Sequence, residues 1–327
     1  MEPFTLKQVS DLPGAIQAAG ATAGTKYIAG GTNLVDLMKM NVETPPALVN
    51  INSLPFQKIE SLKDGGLRIG ALVRNSELAY HPMIQKRYAV LSQALLSGAS
   101  PQLRNMATTG GNILQRTRCP YFFDISFACN KRKPGSGCSA MGGYNRSHAV
   151  LGVSDKCIAT HPSDMCVAMS ALDARIRVQG TDGERVVPFT DFHLLPGYTP
   201  EKETVLRPGE LITAIDLPPL PTSARSHYLK VRDRASYEFA LASAAVVVVV
   251  ERGEIVSARI ALGGVGTKPW RAVKAEQLLR GKPSEDLYTA VADAALEGAQ
   301  PQTFNAFKIE LARRTIVRAL TTAKGIS

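Results

Sequence analysis

The sequence predicts an α+β protein of more than one domain, on three observations. Its 327 residues are long enough for two or three domains, and a hydrophobic content of 45% is enough to bury their cores. Strand-type and helix-type periodicities are interleaved along the chain with no internal repeat. A Pro- and Ser-containing stretch from Pro218 to Ser226 reads as a domain boundary, and the pattern beyond it is α+β.

The elements follow in order. The first fifty residues read as β-α-β: "FTLKQVS", an apolar-periodic helix from about Asp11 to Ala19, "KYIAGGTNL" leading into "LVDLMKM", and the strand "ALVNI". "GLRIGALV" (Gly66 to Val73) is a strong strand, and "LSQALLSGAS" is a helix that Gly98 ends. Between Thr108 and Thr160 periodicity fades and Gly, Pro, Arg and Cys dominate; an irregular stretch of this length inside a compact domain is usually functional or disordered. A helix resumes from Ser163 to Ala174, followed by a hairpin turning at Asp182-Gly183 and by the strand "GELITAIDLP". Past the boundary come "HYLKVRDRASYEFALASAAVVVVV", "IVSARIALGGV", helices near Val273 to Leu279 and Ser284 to Glu297, and an amphipathic helix from about Asn305 to Ala323. The run "FALASAAVVVVV" (Phe239 to Val250) reads as a helix end entering a buried strand, because consecutive valines favour a pleated position covered on both faces.

That run is far shorter than the roughly 20 apolar residues that span a bilayer, so no membrane anchor is expected. The N-terminus has an acidic second residue and no apolar core, unlike a secretory signal. The net charge of +10 gathers around Arg116 to Arg132 and Arg225 to Arg234; a solvated or partner-facing surface is the expected reading. No nucleic-acid-binding signature accompanies the charge, so nucleic acid is not expected as a partner.

Two Gly-Gly turns draw attention: "AGGTNL" (Ala29 to Leu34) and "TTGGNIL" (Thr108 to Leu114), both expected at strand ends. Adjacent glycines let successive backbone N–H groups converge on one anion, and a neighbouring Thr or Asn adds a side-chain donor. Two such turns suit the two phosphates of a pyrophosphate, although a tight turn without a ligand explains either one alone. Neither fits the dinucleotide or Walker glycine patterns. Cys119, Cys129, Cys138 and Cys157 lie in the irregular stretch with spacing C-x9-C-x8-C-x18-C, while Cys166 sits among apolar residues of a helix and is expected in the core. Four loop thiols are compatible with two disulfides, a structural zinc or an iron–sulfur cluster; close C-x2-4-C zinc pairs and ferredoxin spacings are both absent.

In order and spacing, "AGGTNL", "QLRNMATTGGN", "HPSDMCVAMSALDA" and "YLKVRDRASYEFALASAA" resemble the FAD-binding medium subunits of the molybdenum hydroxylases, the xanthine dehydrogenase and carbon monoxide dehydrogenase group. The resemblance covers nearly the whole chain and is strongest to the branch that oxidises aldehydes in the periplasm. It implies a vanillyl-alcohol-oxidase-type (PCMH-type) FAD-binding fold in two parts, residues 1–55 and 56–222 with an insert at about 113–160, and a C-terminal α+β domain over 223–327. It further implies that Tyr27, Ile28, Ala29, Gly30, Gly31, Thr32, Asn33 and Leu34 bind the cofactor, with backbone groups on its pyrophosphate. Thr108, Gly110, Gly111 and Asn112 would form a second phosphate-facing turn, Asp164 would bond ribose or ribityl hydroxyls, and Lys230 would lie near the flavin ring.

Some flavin subunits of this family, that of 4-hydroxybenzoyl-CoA reductase among them, carry an inserted loop that binds an extra [4Fe-4S] cluster. The resemblance thus implies that ligand role for Cys119, Cys129, Cys138 and Cys157, with Arg116, Arg118, Lys131, Arg132 and Lys133 either tuning the centre or forming a docking patch. The implied work is electron transfer inside a complex: a large partner holding the molybdenum cofactor, a small partner holding [2Fe-2S] clusters, FAD here, and an external electron acceptor. Such a chain would fold in the cytoplasm and reach the periplasm by co-export with a signal-bearing partner. The rivals are a self-contained flavin reductase of the same fold, which needs no iron, and a cluster-bearing nucleic-acid-binding module, which needs no flavin.

Overall fold

The computed structural model describes residues 1–325. Three sheets organise the chain. A parallel sheet takes strands in the order Thr5–Gln8, Ala47–Asn50, Lys26–Ile28, with helices Leu12–Gly20 and Leu34–Lys39 as its crossovers. Asp11 caps the first of these helices by accepting the Gly14 N–H at 2.7 Å, and Pro13 sits in its first turn, where a missing N–H costs nothing.

The second sheet is antiparallel with order Ile59–Ser61, Leu67–Gly70, Leu211–Leu217, Arg175–Gly180, Gly183–Pro188. Its hairpin turns at Thr181-Asp182, one residue earlier than the sequence suggests, with Gly183 taking a φ of +98° that only glycine holds without strain. The helix Asp164–Ala171 is buried at every residue in the core this sheet shares with the third sheet, Cys166 included, so that thiol is the expected core residue.

The third sheet is antiparallel with order Trp270–Arg271, Glu254–Gly263, Ala242–Glu251, Ala224–Val231. Helices Val273–Leu278, Glu285–Ala295 and Phe307–Gly325 cover one side of it, where Ala244, Val246 and Val248 join their core. Ala245 and Val247, on the opposite side, join the core of the second sheet instead. Both faces are covered, which is why this strand reads as a continuous apolar run. The helix expected to lead into it is absent: Phe239 to Leu241 are irregular, Tyr237 lies at φ +51°, and pairing begins at Ala242 opposite Val231. Antiparallel pairing of that length outweighs the helix propensity of the alanines.

The segment between Ile113 and Asp164 has two short helices, Pro120–Phe123 and Ser139–Gly142, and an isolated bridge between Cys129 and Cys138. It is nevertheless tied down throughout. The Arg132 guanidinium donates to the carbonyls of Tyr121 (3.0 Å), Phe122 (2.7 Å) and Phe127, and Asn130 reaches Lys156 O at 3.0 Å.

Candidate functional site

A cleft of about 800 Å³ lies between the parallel sheet, the second sheet and the irregular segment, a size in the ordinary range for a bound cofactor. Its walls include Tyr27, Ile28, Ala29, Gly30, Gly31, Thr32, Asn33, Leu34, Thr108, Gly110, Gly111, Asn112, Asp164 and Lys230, so the residues singled out in the sequence share one cavity.

The first glycine turn leaves strand Lys26–Ile28 and enters helix Leu34–Lys39. Gly31 has a φ of +71°. A Cβ on Gly30 would lie 2.0 Å from Met106 O, so this glycine lets the turn touch the backbone that precedes Thr108. Arg74 and Asn52 lock the contact: Arg74 donates to Met106 O and to Asn52 Oδ1, and Asn52 donates to Ala29 O at 3.0 Å. Among the described residues the N–H groups of Gly30, Gly31, Thr32 and Asn33 find no hydrogen-bond partner, and Asn33 Nδ2 is buried without one. Consecutive unpaired donors beside an orphaned amide form the kind of cradle that an anion completes.

The second glycine pair behaves differently from the expectation. It follows helix Pro101–Met106 and itself forms a helical turn, Thr109–Ile113, capped by Thr108 Oγ1 on Gly111 N at 3.2 Å. The N–H groups of Thr109, Gly110 and Asn112 go to Val73 O, Ala71 O and Thr108 O. Backbone donors there are therefore engaged in packing the turn onto the second sheet. The reason is the tight fit: a Cβ on Gly110 would come within 3.1 Å of Ala71 Cβ. What this turn offers the cleft is side chain, with Asn112 Oδ1 already accepting from Ser163 at 2.7 Å.

Asp164 and Lys230 prove to be partners. Lys230 Nζ lies 2.7 Å from Asp164 Oδ2 and 3.1 Å from Ser97 O, while the Tyr228 hydroxyl donates to Asp164 Oδ1. Both side chains are almost wholly buried, Lys230 at 3% and Asp164 at 9% exposure, so each offsets the other inside the protein. Burial and then the Asp164 charge push the Tyr228 hydroxyl well above its usual range, keeping it a donor.

Other walls escaped the sequence reading. The connection from His193 to Leu211 supplies Leu194, Pro200, Glu203 and Arg207; its Gly and Pro content was the available signal. Glu203 accepts from Lys131 at 2.8 Å and from Arg116, which also pairs with Glu43. Arg116 and Lys131 are thus internal ties and Arg132 laces the loop, so these three depart from the expected solvated or partner-facing surface, whereas Lys133 stays exposed. Burial raises the Glu203 carboxyl, but Lys131 and Arg116 outweigh it and hold it below its usual value.

His161 and His193 also face the cleft, their ring centroids 4.6 Å apart, with ligand atoms of both within 4.8 Å of Cys166 Sγ. Burial lowers His193 to about 4 and His161 well below its usual value, so both rings are neutral. His161 Nδ1 accepts the Ser163 N–H, which leaves the ring proton on Nε2, where a metal would need a lone pair. The trio therefore does not read as a metal site.

The four loop cysteines do converge. Cys119, Cys129, Cys138 and Cys157 line one small apolar void, packed by Leu37, Phe122 and Ile158, and all are free thiols. Disulfides are thereby set aside. Around a tetrahedral zinc, sulfurs at about 2.3 Å from the metal lie about 3.8 Å apart. Four thiols around one void are a donor set that either zinc or an iron–sulfur centre could take. Burial pushes the Cys119 thiol up to about 12 and raises that of Cys157, so thiolates here call for a compensating cation. Thr117, Lys131, Cys157 and Ala159 line both this void and the large cleft, making the two sites neighbours across one wall.

Comparison with known proteins places this geometry. Residues 2–220 match the FAD binding domain in molybdopterin dehydrogenase, and residues 227–323 match the CO dehydrogenase flavoprotein C-terminal domain. The chain belongs to this family of FAD-binding subunits. It is 52% identical over 326 residues, 99% of each chain, to the aldehyde oxidoreductase FAD-binding subunit PaoB of Escherichia coli (strain K12). It is 26% identical to the glyceraldehyde dehydrogenase medium chain of Sulfolobus acidocaldarius, covering 97% of this chain and 95% of the relative. Among solved structures, a carbon monoxide dehydrogenase chain from Hydrogenophaga pseudoflava superposes with a TM-score of 0.78 at 26% identity, covering 99% of both. The expected α+β FAD-binding fold is thus confirmed, and the glycine cradle with its orphaned Asn33 amide fits the cofactor of that domain.

Proposed function

We propose that this chain is the FAD-carrying electron-transfer subunit of a molybdenum-dependent aldehyde oxidoreductase, working with a large molybdenum-cofactor subunit, a small [2Fe-2S] subunit and an external acceptor. The observation that carries the reading is full-length similarity at 52% identity to an aldehyde oxidoreductase FAD-binding subunit, joined to a cleft with an anion cradle. FAD, when bound, supplies the step between single-electron carriers and a two-electron acceptor. The chain's own residues bind and tune it. The Gly30 to Asn33 N–H groups hold the pyrophosphate, Asn112 and Asp164 face its polar groups, and Lys230 sets a cation near the ring.

The four cysteines hold a [4Fe-4S] cluster in this proposal, beside the flavin and separated from it by the wall that contains Cys157. Folding with the cluster takes place in the cytoplasm, and the assembled complex reaches the periplasm on a partner's signal. The experiment is anaerobic mixing with an aromatic or aliphatic aldehyde. Flavin absorbance bleaches within the complex of all three subunits and stays unchanged in the isolated chain. Bleaching of the isolated chain would instead make it a self-contained enzyme.

A further inference from the structure

The C-terminal domain meets the cysteine-bearing segment at several points, Arg146 on Asp233 and Phe304 N on Asn145 among them, and one contact is made by an unusual residue. Lys308, on the helix Phe307–Gly325, is completely buried, and its ammonium donates to the carbonyls of Ser147 (3.1 Å), His148 (2.8 Å) and Gly264. In the charged form these bonds occupy all three N–H groups on neutral acceptors, while burial and then Arg146 lower the group to about 7. Asn305, just before the helix, adds its amide to the carbonyls of His148 (3.3 Å) and Ala149 (3.2 Å). The backbone around His148 is thereby fixed from outside its own domain.

The ring so positioned is buried at 2% exposure, with Nε2 3.1 Å from Cys119 Sγ and with Nδ1 buried and unpartnered. The tautomer follows from this asymmetry. A proton on Nδ1 would leave a buried N–H with no acceptor, whereas a proton on Nε2 leaves only a bare lone pair, the cheaper omission. The Nε2 proton then points at the sulfur, a weak acceptor as a thiol and a strong one as a thiolate, the form a metal centre enforces.

We propose that His148 donates an N–H···S hydrogen bond to Cys119 in the cluster-loaded protein and, held by Lys308 and Asn305, raises the reduction potential of that centre. The proposal rests on the [4Fe-4S] reading. An added electron increases negative charge on the ligand sulfurs, so a donor to one of them favours the reduced form. His148 is a positioning and tuning residue; it touches a ligand, not the reacting atoms.

The test is a redox titration of the anaerobically purified full chain, followed by electron paramagnetic resonance, with iron, sulfide and flavin quantified on the same samples. In His148→Phe the iron and flavin contents stay at the wild-type level. At the wild-type midpoint its reduced-to-oxidised cluster ratio falls roughly tenfold, a shift of about 59 mV for one electron. His148→Gln, which keeps an N–H donor, recovers most of that ratio, and Lys308→Met shifts it in the same direction as His148→Phe. Equal midpoints in wild type, His148→Phe and Lys308→Met at full iron content would overturn the proposal. If His148→Phe alone fails to assemble the centre, the Lys308→Met midpoint decides in the same way. Wild-type protein without iron would retire the cluster reading itself, an outcome distinct from unchanged midpoints.

Discussion

Gly30→Val is expected to yield a folded chain that has lost its flavin. The Cβ it adds falls 2.0 Å from Met106 O and 2.7 Å from Met106 C, and the colliding atoms are backbone, which cannot rotate away. The turn at Gly30 and the turn before Thr108 must separate, breaking the Arg74 and Asn52 bridge and splaying the unpaired N–H groups. Overpacking of this kind costs about 1–3 kcal/mol. Because the strain falls on the cradle, it appears mainly as a roughly 10- to 100-fold weaker hold on FAD, measured as flavin retained after gel filtration. Full flavin content in the variant would show that the cofactor does not use this cradle.

Lys230→Met is expected to destabilise the chain more than any exposed lysine substitution. It strips the ammonium from a carboxylate that is 9% exposed and leaves Asp164 charged and unpaired, a loss of about 3–5 kcal/mol by thermal or chemical denaturation. The double variant Lys230→Met, Asp164→Asn removes both charges, keeps an oxygen for the Tyr228 hydroxyl, and recovers most of that stability. It also separates structure from tuning. If Lys230 acts on the flavin as proposed, the double variant folds well and binds FAD, yet its flavin is harder to reduce; a flavin with wild-type potential would confine Lys230 to the ion pair.

Much of the fold is legible because periodicity reports which face of an element is covered. Arg175 to Pro188 alternates and turns at Thr181-Asp182, just before a glycine with positive φ, so the hairpin is readable; Val246 to Val248 does not alternate because both of its faces are buried. What periodicity cannot report is which distant loop meets which. Gly30 against Met106, Arg116 between Glu43 and Glu203, and Lys230 on Asp164 join residues far apart in the chain. Charge in the sequence suggested a solvated patch around Arg116 because side-chain type does not encode burial. The second glycine pair misled for a related reason: its missing side chains allow packing against Ala71 rather than backbone approach to a ligand. The cysteines were visible as a cluster in sequence, but only the convergence on one void separates a shared centre from scattered thiols.

The central claim is that one chain holds flavin and an iron–sulfur centre on either side of the wall containing Cys157. The most direct measurement is flavin, iron and acid-labile sulfide per chain, with the absorbance spectrum, in anaerobically purified wild type and Cys138→Ser. About one flavin with four irons and four sulfides is expected, the cluster composition itself setting those counts, with loss of the iron alone in the variant. Wild-type protein with flavin but no iron, or a variant that keeps its iron, would contradict it.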